Sequence, residues 1–383
     1  MSGNQQSENK HRLNTIEEAI ADIKAGKVVI VVDDEDRENE GDFVGAAELA
    51  TPEMINFMAT HGRGLICTPL PEDRCDELGL NPMVNNNTDP HHTSFTVSID
   101  LLGHGNTTGI SAADRSRTIK ALVDNETKPS DFARPGHIFP LRAKPGGVLR
   151  RTGHTEAAID LARLSGMKPA GVIVEIMNED GTMARLPQLF EIAERFSLKV
   201  ITIEDLVAFR MKNESLIKLE STFTVPTRYG DFTLRAFRQT TNQQVHISLS
   251  IGEWEPETPV AVRMHSAQVA GDLLGLLESD PGIQLDKALK AVADDGAGVI
   301  VYMNQVKAQT DLLQRIETFR QKLDGNTEKR TKMSFGKDPR DIGIGAQILH
   351  ELGVKKVKLL TNNPIKRVGV VGYGLEIIDN IKM

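Results

Sequence analysis

The sequence predicts two domains of mixed α and β structure. Three observations carry this. The chain has 383 residues, more than one hydrophobic core usually organises. Short β-branched runs alternate with segments of helical spacing in both halves. A polar seam at residues 211–218 separates the two series. The expected organisation is a disordered polar tail at 1–14, a first domain at 15–212, a linker at 213–219 and a second domain at 220–383.

Composition narrows the function. The hydrophobic share is 39% and the charged share 26%, ordinary for a globular protein in water. A net charge of −8 argues against nucleic acid as a partner. No apolar run is long enough to span a membrane, and the N-terminus lacks an apolar signal core. The two cysteines, Cys67 and Cys75, exclude a disulfide framework and any site of three cysteines from one chain. A cytoplasmic location is the expectation.

The elements follow in order. Residues 16–25 have helical spacing, with Thr15 as N-cap, Glu18 as its box partner and Gly26 as the stop. Residues 28–32 are apolar and β-branched, a buried strand. It empties into seven carboxylates within ten residues, from Asp33 to Asp42, with Arg37 alone among them. A generic acidic run is a solvated face. Here it follows a buried strand, where ligands gather in α/β folds, and Gly41 and Gly45 allow close backbone approach. Such an oxygen-rich site suits Mg²⁺, and a lone arginine there suits an anionic substrate such as a phosphate. Residues 43–50 read as a strand. Pro52 opens a helix whose buried side is Met54, Phe57 and Met58. A turn at 61–64 leads to a strand at 65–68. On it Cys67 is either a small buried hydrophobe or a thiol lining a site.

Residues 81–94 form a long polar loop of the kind used as lids. His91 and His92 point in different directions and receive no role. A strand at 95–99 is followed by Thr107-Thr108-Gly109-Ile110-Ser111, which enters a helix capped by Ser111 with Asp114 at the box position. Those hydroxyls are caps or anion ligands. Residues 134–140, Arg-Pro-Gly-His-Ile-Phe-Pro, read as a shaped loop, and His137 taken alone reads as structural. Arg150 to Glu156 precede an amphipathic helix at 157–164 and form an anion cradle in which His154 can add an imidazole to an oxygen-rich metal site. Glu175 lies inside the strand 171–177, where a carboxylate is costly unless it is paired or used. A helix at 189–196 and a strand at 200–203 complete the first domain. The second restarts with strands at 222–225, 232–237, 244–250 and 260–263. Helical sequence at 281–320 surrounds a short strand at 298–302. A helix from Asp341, a strand at 358–360 and a turn at 361–364 follow. There is no internal repeat.

These segments together resemble one family. Asp33 to Asp42, His61 to Cys67, Thr107 to Ser111, Arg134 to His137, Arg151 to Glu156 and Glu175 match, in order, 3,4-dihydroxy-2-butanone 4-phosphate synthase of riboflavin biosynthesis. The resemblance implies an α+β fold, a homodimer with sites at the subunit interface, and conversion of D-ribulose 5-phosphate to the butanone phosphate and formate. It implies Mg²⁺ or Mn²⁺, two per site, held by Glu38 and His154. Substrate would lie on Arg37, Glu38, Asp42, Arg151, Thr152, Gly153, His154, Thr155 and Glu175. His137 and Glu175 would be catalytic, with Asp33, Glu40, Cys67 and Thr108 lining the site. That role for His137 displaces the structural reading.

The second domain resembles GTP cyclohydrolase II, with departures. Arg263, Asp338, Arg340, Thr361 and Lys366 match that family's binding and nucleophile positions. Its three zinc cysteines do not: Gln268 stands at the first, and no cysteine follows Cys75. The glycine-arginine signature expected near Asn304 is replaced by Gln305-Val306-Lys307-Ala308. Ring hydrolysis needs metal-activated water, so the expectation is a two-domain chain of mixed sheets whose second domain keeps the cyclohydrolase fold without zinc or activity. The alternatives are a nucleotide- or flavin-sensing or assembly module, or full bifunctionality through an unusual metal site.

Overall fold

Thr15 caps the first helix as its spacing predicts. Its hydroxyl accepts from the Glu18 amide at 3.2 Å, and its own amide donates to Glu18 Oε2 at 3.0 Å. This helix, α1 (Ile16–Lys24), buries Ile16, Ala19 and Ile23. The computed structural model describes residues 12–35, 37–89, 91, 93–267, 281–304, 342–362 and 371–382. It divides the chain into two units, Met1–Asn213 and Glu214–Met383. Asn14 belongs to the first fold rather than to a tail: its amide donates to Val200 O at 2.7 Å.

Seven strands form the first sheet: β1 (Val29–Val32), β2 (Gly41–Ala46), β3 (Cys67–Pro71), β4 (Ile99–Leu101), β5 (Phe132–Ala143), β6 (Gly171–Glu175) and β7 (Val200–Thr202). Their order is β4-β5-β3-β6-β2-β1-β7. β1 runs parallel to β7 and β3 to β5; the other pairs are antiparallel. β1 and β2 are buried along their whole length, which requires cover on both faces of the sheet. The helices are α2 (Pro52–His61), α3 (Glu72–Glu77), α4 (Ala112–Val123), α5 (His154–Leu164), α6 (Leu186–Phe196) and α7 (Ile203–Met211). This is an α+β fold with a mixed sheet.

Several boundaries differ from the sequence reading. β2 stops at Ala46, where a 3₁₀ turn, Ala47–Leu49, takes over. β3 starts two residues later than expected, at Cys67. The strand expected at 95–99 is confined to β4, with only isolated bridges at Phe95 and Thr96. The Arg134 to Pro140 segment is not a separate loop but a break in the register of a strand. It lies inside β5, with a cis peptide between Arg134 and Pro135. α5 begins at His154 rather than 157, with Gly153 as its N-cap. β8 begins at Ile217, so the last three residues of the expected linker are strand.

The second unit holds another seven-stranded mixed sheet. Its strands are β8 (Ile217–Thr227), β9 (Gly230–Gln239), β10 (Val245–Ile251), β11 (Pro259–Ala267), β12 (Gly298–Asn304), β13 (Lys356–Leu360) and β14 (Glu376–Ile381), in the order β14-β13-β11-β12-β10-β9-β8. Helices α8 (Pro281–Asp295) and α9 (Ile342–Glu351) accompany it. Among the described residues no helix is long and apolar enough to cross a membrane.

Candidate active site

The topology of the first sheet gathers the acidic groups. β2 is antiparallel to both β1 and β6, so its first residues lie at the same end of the sheet as their last. Asp33 follows β1, Asp42 is the second residue of β2, and Glu175 ends β6. Asp42 and Glu175 are directly opposed in register. Glu175 is therefore at the strand end and half-buried, not enclosed within the strand.

The acidic loop is folded around Asp33. Asp33 Oδ1 accepts from the Glu40 amide at 2.8 Å, and Oδ2 accepts from the Glu38 amide at 3.1 Å and from Arg37 Nη1 at 2.8 Å. Arg37 also donates to Glu38 Oε2 at 2.6 Å. Asp33, Glu38 and His154 bring one ligand atom each within 4.8 Å of one another. Asp33 has both oxygens engaged within the loop and organises it, while Glu38 has Oε2 on Arg37 and Oε1 3.6 Å from His91 Nδ1.

His154 is the first helical residue of α5. Its Nε2 lies 3.1 Å from Val31 O, so that nitrogen carries the proton and Nδ1 presents a lone pair. Nδ1 lies 3.9 Å from both Glu38 Oε2 and Asp42 Oδ1. Burial lowers the His154 pKa, which keeps the ring neutral and fit to ligate a metal. Among the described residues nothing donates a hydrogen bond to the buried Asp42 Oδ1. Burial, then the neighbouring Glu175, Glu38, Asp33 and Glu40, push the Asp42 carboxyl well above its ordinary range. Burial and Glu38 raise Glu40, while Arg185 opposes the rise. An orphaned carboxylate oxygen facing an imidazole lone pair and a second carboxylate is a donor set that fits a hard divalent cation.

Around this core stand the remaining groups. Glu175 Oε2 accepts from the Leu65 amide at 2.9 Å. Cys67 is buried on β3, and burial followed by the charges of Glu175 and Asp42 pushes its thiol up. It stands beside the carboxylates as a small apolar wall. The Arg151 guanidinium donates to the buried Glu156 at 2.6 Å and to His91 O at 3.2 Å. His91 Nδ1 lies 3.6 Å from Glu38 Oε1, which brings this residue to the edge of the acidic group. Thr152, Gly153 and Thr155 surround the N-terminus of α5, whose amides suit a phosphate.

His137 belongs to a second cluster. Asp100 on β4 accepts from the His137 amide at 2.9 Å and lies 2.7 Å from its Nδ1. That contact places the shared proton at Nδ1, and Nε2 takes no part in it. Asp100 also packs against Gly109, whose left-handed backbone and crowded Cβ position exclude other residues. Ser111 caps α4, but the expected capping box is only half formed. The Asp114 carboxylate turns instead to the Thr107 hydroxyl at 2.8 Å and the Gly109 amide at 3.2 Å. These hydrogen bonds, that of the Thr107 hydroxyl first, hold Asp114 below its ordinary pKa, and Thr108 between them is exposed. Among the described residues, the contacts of His137 are with this cluster and not with the acidic group.

Sequence reasoning missed Asp100 and Arg185. Asp100 carried one weak signal, an acidic residue inside an apolar strand pattern. Arg185 carried none.

In the second unit Arg263 on β11 donates to Leu360 O at 2.9 Å, beside the buried Thr361. These two matched positions are brought together. Asp338, Arg340, Lys366, Gln268 and residues 305–308 lie outside the described residues.

The family profile for 3,4-dihydroxy-2-butanone 4-phosphate synthase matches residues 17–209, and that for GTP cyclohydrolase II matches residues 218–382. A riboflavin biosynthesis protein RibBA of Cytophaga hutchinsonii is 55% identical over 97% of this chain and 92% of its own. The RibBA of Aquifex aeolicus is 50% identical, again over 97% and 92%. Among solved structures, RibBX of A. baumannii, a two-domain 3,4-dihydroxy-2-butanone 4-phosphate synthase, is 41% identical with a TM-score of 0.64, covering 96% of this chain and 99% of its own. A 3,4-dihydroxy-2-butanone 4-phosphate synthase in complex with two magnesium ions is 44% identical with a TM-score of 0.51, covering 52% of this chain and 98% of its own.

Proposed function

The chain belongs to the 3,4-dihydroxy-2-butanone 4-phosphate synthase family of riboflavin biosynthesis, and on that premise we propose how its residues carry the reaction. The substrate is D-ribulose 5-phosphate, and the products are 3,4-dihydroxy-2-butanone 4-phosphate and formate. Glu38 and His154 hold Mg²⁺ or Mn²⁺, and the related synthase with two magnesium ions supports two cations per site. The observation that carries this reading is the orphaned Asp42 Oδ1 facing His154 Nδ1. When bound, the cation stabilises negative charge on the enediolate oxygens of the ketose.

The protein groups do the rest. Arg151, Thr152, Gly153, Thr155 and the α5 N-terminus hold the phosphate, while Arg37 and Asp42 hold the other end of the substrate. Anchoring both ends fixes the carbon skeleton for rearrangement. Glu175, oriented by the Leu65 amide, removes the proton that opens the reaction. In the cation-free site its buried neighbour Asp42 is the carboxyl that retains a proton, because burial and then the charge of Glu175 oppose its ionisation. His137, aligned by Asp100, moves protons on substrate oxygens through Nε2. Glu40, Cys67 and Thr108 line the site.

A homodimer supplies the missing proximity. The second cluster, His137 with Asp100 and Thr108, completes the acidic site of the partner subunit. Exposed apolar residues support this: Leu65 lies next to the Glu175 contact, and Leu102 and Ile110 flank Asp100 and Gly109.

The second unit carries no cyclohydrolase activity in this reading, since the chain has no cysteine after Cys75 to hold zinc. RibBX, described as a two-domain synthase, supports it. The match of residues 218–382 to GTP cyclohydrolase II favours a second reading, in which the chain turns over GTP as well. One metal-defined preparation tests both. Ribulose 5-phosphate with Mg²⁺ is followed for formate and butanone phosphate, and GTP with Zn²⁺ for formate and the pyrimidine product. Turnover of the first alone is expected. GTP turnover would require a water-activating site without cysteine.

A further inference from the structure

The acidic loop has to hold Glu38 still, yet most of its internal contacts are to itself. Arg185 grips its backbone from outside. Arg185 Nη1 donates to Glu38 O at 2.8 Å and also to Asn39 O. In extended chain, successive carbonyls point to opposite sides. Two of them converge on one nitrogen here because Asn39 has a left-handed backbone, with φ of 54°. Both protons of that nitrogen are thereby used on the loop backbone.

The other end of Arg185 is equally fixed. The preceding Ala184 is fully buried, and its amide donates to Ile176 O at 3.0 Å. Ile176 directly follows Glu175. The Arg185 amide donates to Gln188 Oε1 at 3.0 Å at the start of α6. The guanidinium therefore spans from the chain beside Glu175 to the backbone that carries Glu38.

We propose that Arg185 is a positioning residue, a strut that holds the Glu38 loop in register with Glu175. It makes this contact through main-chain carbonyls, so it sets loop geometry without taking a ligand position. The inference rests on the assignment of Glu38 as a metal ligand for its effect on catalysis, but not for its effect on the loop.

The test uses the full-length protein and the variants Arg185→Met and Arg185→Lys. Every amide from Glu38 to Glu40 is hydrogen-bonded within the loop, so hydrogen exchange reads its order without any metal or substrate. Arg185→Met is expected to speed exchange across residues 33–42 by about tenfold or more and to weaken Mn²⁺ binding, titrated directly, by about 10–100-fold. Exchange in β6 and α5 should stay unchanged. Arg185→Lys, with one ammonium able to reach both carbonyls, should recover part of each effect. Unchanged exchange in residues 33–42 would overturn the strut. Should Arg185→Met not fold, Arg185→Gln, too short to reach both carbonyls, is read by the same exchange across residues 33–42. Glu38→Gln separates the two readings: if it leaves Mn²⁺ affinity intact, the metal assignment fails, while the exchange result still judges Arg185.

Discussion

At the scale of single residues, function is bought with buried charge. Asp42 is enclosed, opposed to Glu175 and left without a donor to Oδ1 among the described residues. Its pKa in the fold stands well above the ordinary value of 3.8. The native state therefore binds that proton more tightly than the unfolded chain, and native stability falls as pH rises above that value. Asp42→Asn removes the cost. In metal-free protein it should stabilise the fold by on the order of 1–2 kcal/mol near pH 8, and by little near pH 4, while abolishing synthase activity. Thermal melts across that range check the sign. Added Mg²⁺ should raise the melting temperature of the parent more than that of the variant. Residues of this kind were legible in the sequence because a carboxylate next to a buried strand has few bland explanations. Asp33 was legible as a member of the site, but its engagement with two loop amides and Arg37 depends on how the loop closes. Asp100 and Arg185 act across long separations in the chain, and no local pattern announces such contacts.

At the scale of elements, the site depends on one loop and one helix being fastened together. Asp160 on α5 accepts from the Val148 amide at 2.8 Å and from Arg210 at 2.7 Å, and Arg210 also donates to Gly146 O at 2.7 Å. This buried pair ties the last turn of α7 to the segment that leads into Arg151 and His154. Burial outweighs Arg210 and lifts Asp160 to about 6. Without the guanidinium that pKa rises further, so Asp160 stays neutral at low pH and becomes an uncompensated charge at high pH. Arg210→Met should therefore cost about 3–5 kcal/mol near pH 8 and much less near pH 5. Denaturant melts at the two pH values measure the difference; an equal cost at both would mean that the charge of Asp160 is not what Arg210 balances. Most elements could be read from capping and periodicity, as α1 and α2 show. β5 could not. Pro135 and Gly136 punctuate it like a loop and do fall in a register break, while β3 pairs with Phe139–Ala143 and β4 with Phe132, Ala133 and Ile138 on either side of it, and only the assembled sheet shows that. β4 likewise gains its place from β5 rather than from its own three residues.

At the scale of the whole molecule, the proposed reaction needs the two clusters of one chain to meet in a single site. The acidic group has a base, carboxyls and a metal-ligating imidazole; the other has an aligned histidine and a loop with Thr108 exposed. If each subunit lends His137 to the acidic group of its partner, two dead variants can repair each other. Glu175→Gln destroys the acidic site of its own chain but keeps a working His137. His137→Asn does the reverse. Random exchange of subunits makes half the dimers mixed, and each mixed dimer has one site with both groups intact. An equal mixture, unfolded and refolded together, should thus recover about a quarter of the parent activity from two inactive proteins. Recovery should follow mixing before refolding and be absent when the pre-formed dimers are combined briefly. If His137 served the Glu175 of its own chain, every site in every mixed dimer would lack one group and no activity would return. The same experiment with chains ending at Asn213 asks what the second unit contributes: equal recovery would leave assembly wholly to the first sheet, whereas loss of recovery with parent activity retained would give the cyclohydrolase-like fold a part in bringing subunits together.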